Sequence, residues 1–251
     1  MGDDPRLSGL AADLPEVRTL FGRRKGKKLR AHQATLLAEV LPALALDLST
    51  AAIDDPAQLF PDVPDDVRME IGFGGAEHLV FEAARQPKIG FIGCEPFVNG
   101  VAKLLVQVEE QNLRNVRVHH GDARQILERL PNGTLGRVDV LYPDPWPKWR
   151  QRKRRFLSAE NLNEIARVLR PGGKFRFATD IDDYAGWVLA RVLKMNSLSW
   201  EESGGRDWCQ AWPQWPSTRY EAKAFREGRP PVYLTFVRRD GATTLGSAPN
   251  L

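Results

Sequence analysis

The chain has 251 residues, with 36 Lys and Arg against 32 Asp and Glu, which gives a formal net charge of +4. A chain of this length can bury one sizeable core, so we expect one domain with short extensions. Its two cysteines, Cys94 and Cys209, form neither a disulfide framework nor a zinc site, and no stretch reaches membrane-spanning length. Composition therefore excludes a disulfide-rich scaffold and a membrane protein, and the absence of a signal peptide favours the reducing cytoplasm.

The positive charge is concentrated in two segments. Between Glu16 and Glu39 there is no acid, and Lys or Arg occupies positions 23, 24, 25, 27, 28 and 30. The second segment, which we call the basic block, is also free of acids and contains Lys148, Arg150, Arg152, Lys153, Arg154 and Arg155. Two such segments favour a polyanionic partner, with a solvated surface as the alternative. We predict a flexible basic arm over residues 1–30, a folded domain over 31–240 and a disordered tail over 241–251.

From residue 67 the chain alternates between short apolar strands and amphipathic helices. Strands are predicted at residues 67–73, 89–94, 116–119, 138–142, 174–179 and 231–238. Helices are predicted at residues 31–41, 76–84, 97–111, 123–130, 158–168 and 183–193. Repeated strand–helix units imply an α/β fold with a mostly parallel sheet covered on both faces, and the last strand suits a sheet edge.

An acid lies near the end of each of the first three predicted strands. Gly72 and Gly74 lie in the turn after the first strand, where glycine lets the backbone approach a ligand and the next helix offers free N–H groups. Glu70 lies in the first predicted strand. Glu95 directly follows the second strand, where an acid suits the hydroxyls of a ribose. Asp122 follows the third strand, where it could accept a hydrogen bond from an adenine amino group. Each acid alone is equally explained as a helix N-cap or a solvated loop residue. Together they describe an adenosine pocket without pyrophosphate, which favours S-adenosylmethionine over NAD.

A proline-rich stretch follows the fourth predicted strand. Prolines at positions 143, 145 and 147 predict extended backbone at Tyr142, Asp144 and Trp146. A rigid carboxylate and an indole past a strand's carboxyl end, followed by the basic block, indicate a site for a nucleobase and its phosphates. Trp146 is a candidate for stacking on the base or for packing within the loop, and a proline-rich linker is the structural alternative.

Four motifs together resemble one enzyme family. They are Glu70-Ile71-Gly72-Phe73-Gly74, Tyr142-Pro143-Asp144-Pro145-Trp146 with the basic block, Ala178-Thr179-Asp180 and Thr218-Arg219-Tyr220-Glu221. Over residues 20–238 the chain resembles the bacterial tRNA (guanine-N7-)-methyltransferases. The resemblance implies a class I, Rossmann-like methyltransferase with seven strands, mostly parallel, and methyl transfer from S-adenosylmethionine to N7 of guanosine 46 in the variable loop of tRNA. Ala76, where a third glycine is common, and Pro147, where His or Lys is common, depart from the family pattern.

The resemblance also implies roles for individual residues. Methyl-donor contacts are implied for Glu70, Glu95, Asp122 and Asp144, beside Gly72 and Gly74 of the turn. Contacts with the tRNA substrate are implied for Lys148, Asp180, Thr218, Arg219, Tyr220 and Glu221, and phosphate contacts are expected for Arg150, Arg152, Lys153, Arg154 and Arg155. The resemblance also implies that Asp144 is the active-site residue. For Thr218 and Glu221 there is an alternative to substrate contact, because Thr-x-x-Glu also matches a helix-capping pattern. We expect no metal, no membrane and no obligatory protein partner, with a monomer or homodimer.

The chemistry of guanine separates this interpretation from its rivals. Guanine N7 has an unprotonated lone pair, so methyl transfer needs no general base, and Asp144 would stabilise the positive charge that develops on the ring. A methyltransferase for exocyclic amines usually carries an amide followed by Pro-Pro-aromatic, where this chain has a carboxylate at position 144. An NAD-dependent oxidoreductase would need a tighter glycine turn, and a non-catalytic RNA-binding module would not need the strand-end acids.

Overall fold

The structure is a computed structural model that describes residues 20–22, 24, 26–49, 52–201 and 207–240. Its strands are β1 Asp66–Ile71, β2 Ile89–Cys94, β3 Val116–His119, β4 Leu135–Leu141, β5 Leu169–Thr179, β6 Leu198–Trp200 and β7 Val232–Arg238. Its α-helices are α1 Ala31–Glu39, α2 Leu41–Leu44, α3 Glu77–Arg85, α4 Val98–Glu110, α5 Ala123–Leu127, α6 Ala159–Val168, α7 Asp182–Val192 and α8 Arg219–Arg226. The predicted tail and most of the predicted arm, including Arg23 and Lys25, lie outside the described residues.

In the described part of the chain, seven strands form one sheet in the order β3-β2-β1-β4-β5-β7-β6. The strands β1 to β5 pair in parallel, and β7 runs antiparallel to both β5 and β6. This arrangement confirms the predicted mostly parallel sheet with helices on both faces. The prediction that the last strand lies at an edge was wrong, because β6, which the sequence analysis did not identify, pairs with its outer side. No helix within these residues has the length and apolarity to cross a bilayer.

One face of the sheet is apolar. Val67, Met69 and Ile71 alternate along β1 and point to this face, where they are buried with Phe175 and Phe177 of β5. The helices α5, α6 and α7 cover it. Each such side chain contributes about 1.5–3 kcal/mol on full burial. This apolar face holds the larger of the described hydrophobic clusters and fixes the register of the central strands.

The opposite face of β1, β4 and β5 carries charged side chains, which we call the charged layer. Its members are Arg68, Glu70, Arg137, Asp139 and Arg176, together with His78 and Glu82 of α3, which cover them. Arg137 donates to Glu82 Oε2 at 2.7 Å and to Asp139 Oδ2 at 2.8 Å. Residues 207–217, which we call the Trp loop, close the layer over β5 and β7. Beyond β1, the same face is covered by α1, α3 and α4 through apolar contacts.

The Trp loop covers the charged layer with two indoles. The Arg176 guanidinium lies 4.9 Å from the Trp212 ring centroid, and the Trp215 ring lies 5.0 Å from that of His78. Trp212 Nε1 donates to Thr235 Oγ1 at 2.8 Å. A tryptophan ring can cover a guanidinium and still satisfy its own N–H, so the Trp loop helps α3 to shield the charged layer from water.

The described part of the basic arm is docked on the domain. Gly26 N donates to Asn99 Oδ1 at 2.7 Å, and Asn99 Nδ2 donates to the Lys27 carbonyl at 2.8 Å. Val98 N donates to the Arg24 carbonyl at 3.1 Å. These bonds hold Arg24, Gly26 and Lys27 against the start of α4, on the side of the sheet where the parallel strands end.

The proline-rich stretch is not uniformly extended. Tyr142 has φ of +50° and Trp146 has φ of +43°, both in the left-handed region, so the prediction of extended backbone was wrong for these two residues. Non-glycine residues in this region store about 1–3 kcal/mol of strain, which persists only when surrounding contacts enforce it. Here the turns bring both aromatic rings to the wall of one cavity. The chain then forms a 3-10 helix, Trp149–Arg154, which carries most of the basic block.

Candidate active site

A cavity of about 360 Å³ lies at the carboxyl ends of the central parallel strands. Its wall is built from the residues that follow β1, β2, β3 and β4, which include Gly72, Glu95, Asp122 and Asp144. Ligands bind at this edge in open α/β sheets because the loops after adjacent strands converge there. The sheet thus brings together predicted residues that are up to 72 positions apart in the sequence.

Glu95 is held by two backbone donors. Its Oε2 accepts from Gly74 N at 2.7 Å and its Oε1 accepts from Phe97 N at 2.9 Å. Burial raises the pKa of Glu95, and the two N–H groups counteract this by stabilising the ionised form. Gly74 is needed for this contact, since it has φ of +54° and a Cβ there would lie 3.2 Å from the Tyr220 ring. Each carboxylate oxygen retains a lone pair that a ligand hydroxyl can use.

Asp122 is the N-cap of α5 and also lines the cavity, so its predicted contact with an adenine amino group stays a prediction. As the N-cap of α5, its Oδ1 accepts from Arg124 N at 3.0 Å, and its Oδ2 accepts from Arg124 Nε at 2.8 Å. It also lies on the cavity wall next to Gly121 and Ala123. A capping carboxylate is rigid, so Asp122 presents a fixed acceptor edge to whatever occupies the cavity.

Asp144 lies at the cavity mouth. Within the described residues its carboxylate makes no hydrogen bond or ion pair, while the walls around it displace enough water to raise its pKa above the usual value. Gly22 approaches it closely: its φ is +128°, and a Cβ at this position would lie 3.4 Å from Asp144 Oδ2. Asp144 is therefore both the most exposed of the cavity acids and the one without a hydrogen-bond or ion-pair partner among the described residues.

Aromatic rings form the remaining walls. Tyr142 and Tyr220 line the cavity with nearly parallel rings, whose centroids are 6.5 Å apart at 18°. Arg154 lies between Phe21 and Trp146, 5.0 Å from each ring centroid. Arg154 is the only Lys, Arg or His among the described residues of the wall, beside three carboxylates. Such a lining suits a cationic ligand and offers little to a pyrophosphate.

Glu70 points away from this cavity. It belongs to the charged layer, where its Oε2 lies 2.6 Å from His78 Nδ1, and it is 4% exposed. Burial raises its pKa, although His78 opposes the shift. The next residue, Ile71, is the one that lines the cavity wall. The structure therefore supplies no support for the implied donor contact of Glu70, which stays a prediction.

Thr218 and Glu221 have structural partners at the start of α8. Thr218 Oγ1 accepts from Glu221 N at 3.2 Å, which makes Thr218 the N-cap that the alternative interpretation required. The Glu221 carboxylate is buried and accepts from Trp215 Nε1 at 2.9 Å and from the Tyr233 hydroxyl. Of the same motif, Tyr220 lines the cavity, whereas Arg219 is half exposed and pairs with Glu77.

The other implied substrate residues lie around the cavity mouth. Asp180 forms an ion pair with Arg229, with 2.7 Å between Oδ2 and Nε. In the basic block, Lys148, Arg150 and Lys153 are exposed, and Arg152 pairs with Asp183 at 2.5 Å.

Arg155 differs from the rest of the basic block because its side chain is fully buried. It donates to the Pro145 carbonyl at 2.8 Å and to the Asp183 carboxylate, and it lies 4.7 Å from the Tyr184 ring centroid. A phosphate cannot reach the guanidinium in this conformation. The expectation that Arg155 contacts RNA is therefore not supported, and we assign it a role in holding the proline-rich stretch.

Phe21 and Tyr142 are among the residues of the cavity wall that the sequence did not identify. Phe21 falls in the predicted basic arm, and no local signal relates it to Trp146, because that contact joins distant parts of the chain. Tyr142 could have been found, since it directly follows the last strand residue at the ligand-binding edge.

The sequence of the chain is similar to known methyltransferases. A family model described as "Putative methyltransferase" matches residues 65–234. The chain is 51% identical over 221 residues to a tRNA (guanine-N(7)-)-methyltransferase from Bartonella quintana (strain Toulouse), covering 87% of this chain and 95% of that protein. It is 52% identical over 219 residues to a protein of the same name from Mesorhizobium japonicum, covering 87% and 94%. Among solved structures, the aminoglycoside resistance methyltransferase NpmB1 aligns with a TM-score of 0.48 and 18% identity, over 70% of this chain and 88% of that chain.

Proposed function

Because the chain belongs to the tRNA (guanine-N7-)-methyltransferase family, we propose that it transfers a methyl group from S-adenosylmethionine to N7 of guanosine 46 in the variable loop of tRNA. One observation carries the proposal beyond family membership. The cavity at the strand ends presents Glu95, Asp122 and Asp144 but only one cationic side chain among its described wall residues, and aromatic rings already cover that cation. This lining fits a cationic methyl donor and a purine that becomes cationic.

The cavity residues fit S-adenosylmethionine. Glu95 would hold the ribose hydroxyls, Asp122 would accept from the adenine amino group, and the backbone at Gly72 and Gly74 would lie against the donor. The bound donor supplies an electrophilic methyl group on a sulfonium. The carboxylates favour this cation and its ammonium group, because opposite charges attract strongly where the walls exclude water.

Asp144 is placed for the chemical step. Guanine N7 needs no deprotonation, so the protein must align its lone pair with the methyl group and stabilise the positive charge that forms. The unpaired carboxylate of Asp144 at the cavity mouth can do this directly or by accepting from the N1–H and amino group of the base. It must be ionised to act, so we expect a nearly flat rate between pH 6 and 9 and a loss of rate as the pH falls through its raised pKa.

Tyr142 and Tyr220 are the best-placed rings for the target base. A base stacked between two rings needs about 7 Å, two contacts of about 3.5 Å, and the observed centroid separation is 6.5 Å. A small outward movement of Tyr220, which is 46% exposed, would admit the purine. Trp146, the candidate from the sequence, already contacts Arg154 and Phe21. Two electron-rich rings would also stabilise the cationic product.

The remaining predicted residues form the tRNA surface around this cavity. We propose phosphate contacts for Lys148, Arg150, Arg152, Lys153 and Arg154, and substrate contacts for Asp180 and Arg219. Thr218 and Glu221 would act through α8, which carries Tyr220 and Arg219. A cytoplasmic location and a monomer or homodimer without an obligatory protein partner complete the proposal.

Nucleoside analysis tests the proposal directly. The protein is incubated with labelled S-adenosylmethionine and an unmodified tRNA transcript, and the digest is analysed for 7-methylguanosine. We expect one labelled 7-methylguanosine per tRNA, and none in a transcript with adenosine at position 46. Label in another nucleoside would contradict the reaction, whereas label in 7-methylguanosine at another position would contradict only the site.

A further inference from the structure

The 3-10 helix Trp149–Arg154 presents a tryptophan to solvent that no part of the proposed reaction uses. Trp149 is 78% exposed, the most exposed of the large hydrophobic side chains described. Burying an indole against a partner is favourable, and an aromatic ring among exposed cations is the combination that binds single-stranded nucleic acid. Its sequence neighbours Lys148 and Arg150 are exposed cations.

One contact orients the indole. The Arg152 guanidinium lies 5.0 Å from the Trp149 ring centroid and is itself fixed by Asp183, with 2.5 Å between Nη2 and Oδ1. Asp183 also accepts from the buried Arg155. A guanidinium in contact with the indole, anchored through an ion pair to the protein interior, pre-organises the ring and leaves most of its surface for a partner.

We propose that Trp149 is a stacking platform for an unpaired base of the tRNA next to the target nucleotide. This inference rests on the proposed function, since it takes tRNA as the substrate. Arg154, which lines the active-site cavity, is five residues further along the same 3-10 helix. At a rise of about 2 Å per residue, Trp149 lies about 10 Å from it along the helix axis. Unpaired bases are recognised by stacking on aromatic side chains, and the neighbours of a target base are within such a distance.

Charge identifies RNA as the occupant rather than a protein or a second copy of the chain. No acid interrupts the chain from Lys148 to Arg155, and Lys148, Arg150 and Lys153 point to solvent. Trp208 provides the contrast, because it is 36% exposed but lines a surface pocket with the acids Asp207 and Glu201. Glu201 is itself paired with Lys174, so the described residues at Trp208 carry no excess of cations, whereas the exposed cations beside Trp149 suit a polyanion.

The test compares tRNA binding by Trp149→Ala, Trp149→Phe and the control Trp208→Ala. A stacked base contributes enough that Trp149→Ala should bind tRNA about 5- to 100-fold more weakly. Trp149→Phe should keep most of the affinity, and Trp208→Ala should match the wild type. Donor affinity and the rate at saturating tRNA should stay unchanged in all three, because Trp149 does not line the cavity.

Salt dependence separates stacking from phosphate contact. Trp149→Ala should leave the slope of log affinity against log salt unchanged, whereas Arg150→Gln should flatten it by about 0.7–0.9. Addition of tRNA should quench tryptophan fluorescence less in Trp149→Phe than in the wild type.

Unchanged tRNA affinity of Trp149→Ala, with wild-type protein that methylates tRNA, would overturn the inference and leave the function standing. A dimer of the wild type that dissociates in Trp149→Ala would overturn it in favour of a contact between copies. Wild-type protein that neither binds nor methylates tRNA would instead refute the function.

Discussion

Asp144 at the cavity and Glu82 of the charged layer are two carboxylates of one domain with opposite surroundings. Asp144 has no polar partner among the described residues, whereas Glu82 accepts from Arg137, Arg85 and Gln86. Glu70 and the cavity residue Ile71 are consecutive, yet they point to different sides of β1. An acid near a strand end is therefore available to a ligand only when the alternation of the strand directs it to the cavity. The five predictions that follow test this difference between the cavity acids and the charged layer, from the largest expected effect to the smallest.

Glu82→Gln should be the most damaging change to stability. Removing one member of a buried, paired set leaves Arg137 without full compensation and costs about 3–5 kcal/mol of unfolding free energy. Chemical denaturation measures this loss. The affinity of the folded protein for S-adenosylmethionine should be unchanged, because Glu82 lies in the charged layer and not at the cavity. Weakened donor binding with intact stability would contradict this separation of the charged layer from the cavity.

The same residue predicts an acid-dependent stability. Burial alone would raise the pKa of Glu82, but Arg137 and Arg85 overcome it and lower the pKa from 4.5 to about 2. A depressed pKa means that the stabilisation is fully present above about 4.5 and is lost as the pH falls towards about 2. Between these values the wild type should lose unfolding free energy more steeply than Glu82→Gln. Equal slopes would show that this ion pair does not stabilise the fold.

Asp144→Asn should affect turnover instead of stability. The amide keeps the size of the side chain and removes the charge that stabilises the cationic purine, so single-turnover methylation should slow about 10²–10³-fold. Melting temperature and donor affinity should stay near wild type. The matched control is Asp65→Asn. Asp65 is an exposed aspartate directly before β1, and it does not line the cavity. A slowing of Asp144→Asn no greater than that of Asp65→Asn would remove Asp144 from the chemical step.

Glu95→Ala should weaken the methyl donor selectively. Loss of hydrogen bonds to a charged acceptor costs about 1.5–3 kcal/mol, which isothermal titration calorimetry with S-adenosylmethionine measures. Affinity for tRNA should hardly change, and Glu160→Ala, an exposed acid at the start of α6, should bind the donor normally. Unaltered donor affinity in Glu95→Ala would place the ribose elsewhere.

Thr218→Ala should give the smallest effect. Loss of the N-cap of α8 costs about 1 kcal/mol, and Thr218→Ser should restore most of it because serine caps equally well. Turnover at saturating tRNA should stay within about threefold of wild type, which is under 0.7 kcal/mol. Lost turnover at an unchanged melting temperature would instead support the direct substrate contact that the family resemblance implies.

Much of this arrangement could be predicted from local sequence. β2 and β3 occur at the predicted residues, and the strand-end rule located Glu95, Asp122 and Asp144 at one edge. The orientation of Glu70 was also deducible, because Val67, Met69 and Ile71 already occupy the apolar face of β1. Because side chains alternate along a strand, Glu70, which lies between Met69 and Ile71, must point to the opposite face.

Other features depend on contacts between distant residues. The short strand β6 forms by pairing with β7 and has no periodicity of its own in three residues. The left-handed turns at Tyr142 and Trp146 run against the preference of bulky residues, so only the surrounding cavity wall accounts for them. The Trp loop contacts Arg176 on β5 and Thr235 on β7, and no local pattern associates either residue with it.

Replacing the acceptor atom N7 of guanosine 46 tests the proposed reaction most directly. A tRNA in which 7-deazaguanosine replaces guanosine at position 46 has a C–H in place of the N7 lone pair and keeps its shape and Watson–Crick edge. The account predicts that this tRNA binds with normal affinity and receives no methyl group in a single turnover with labelled donor, while 7-deazaguanosine at another position leaves methylation intact. Methyl transfer to the substituted residue would contradict N7 as the acceptor and assign the cavity to an exocyclic amine.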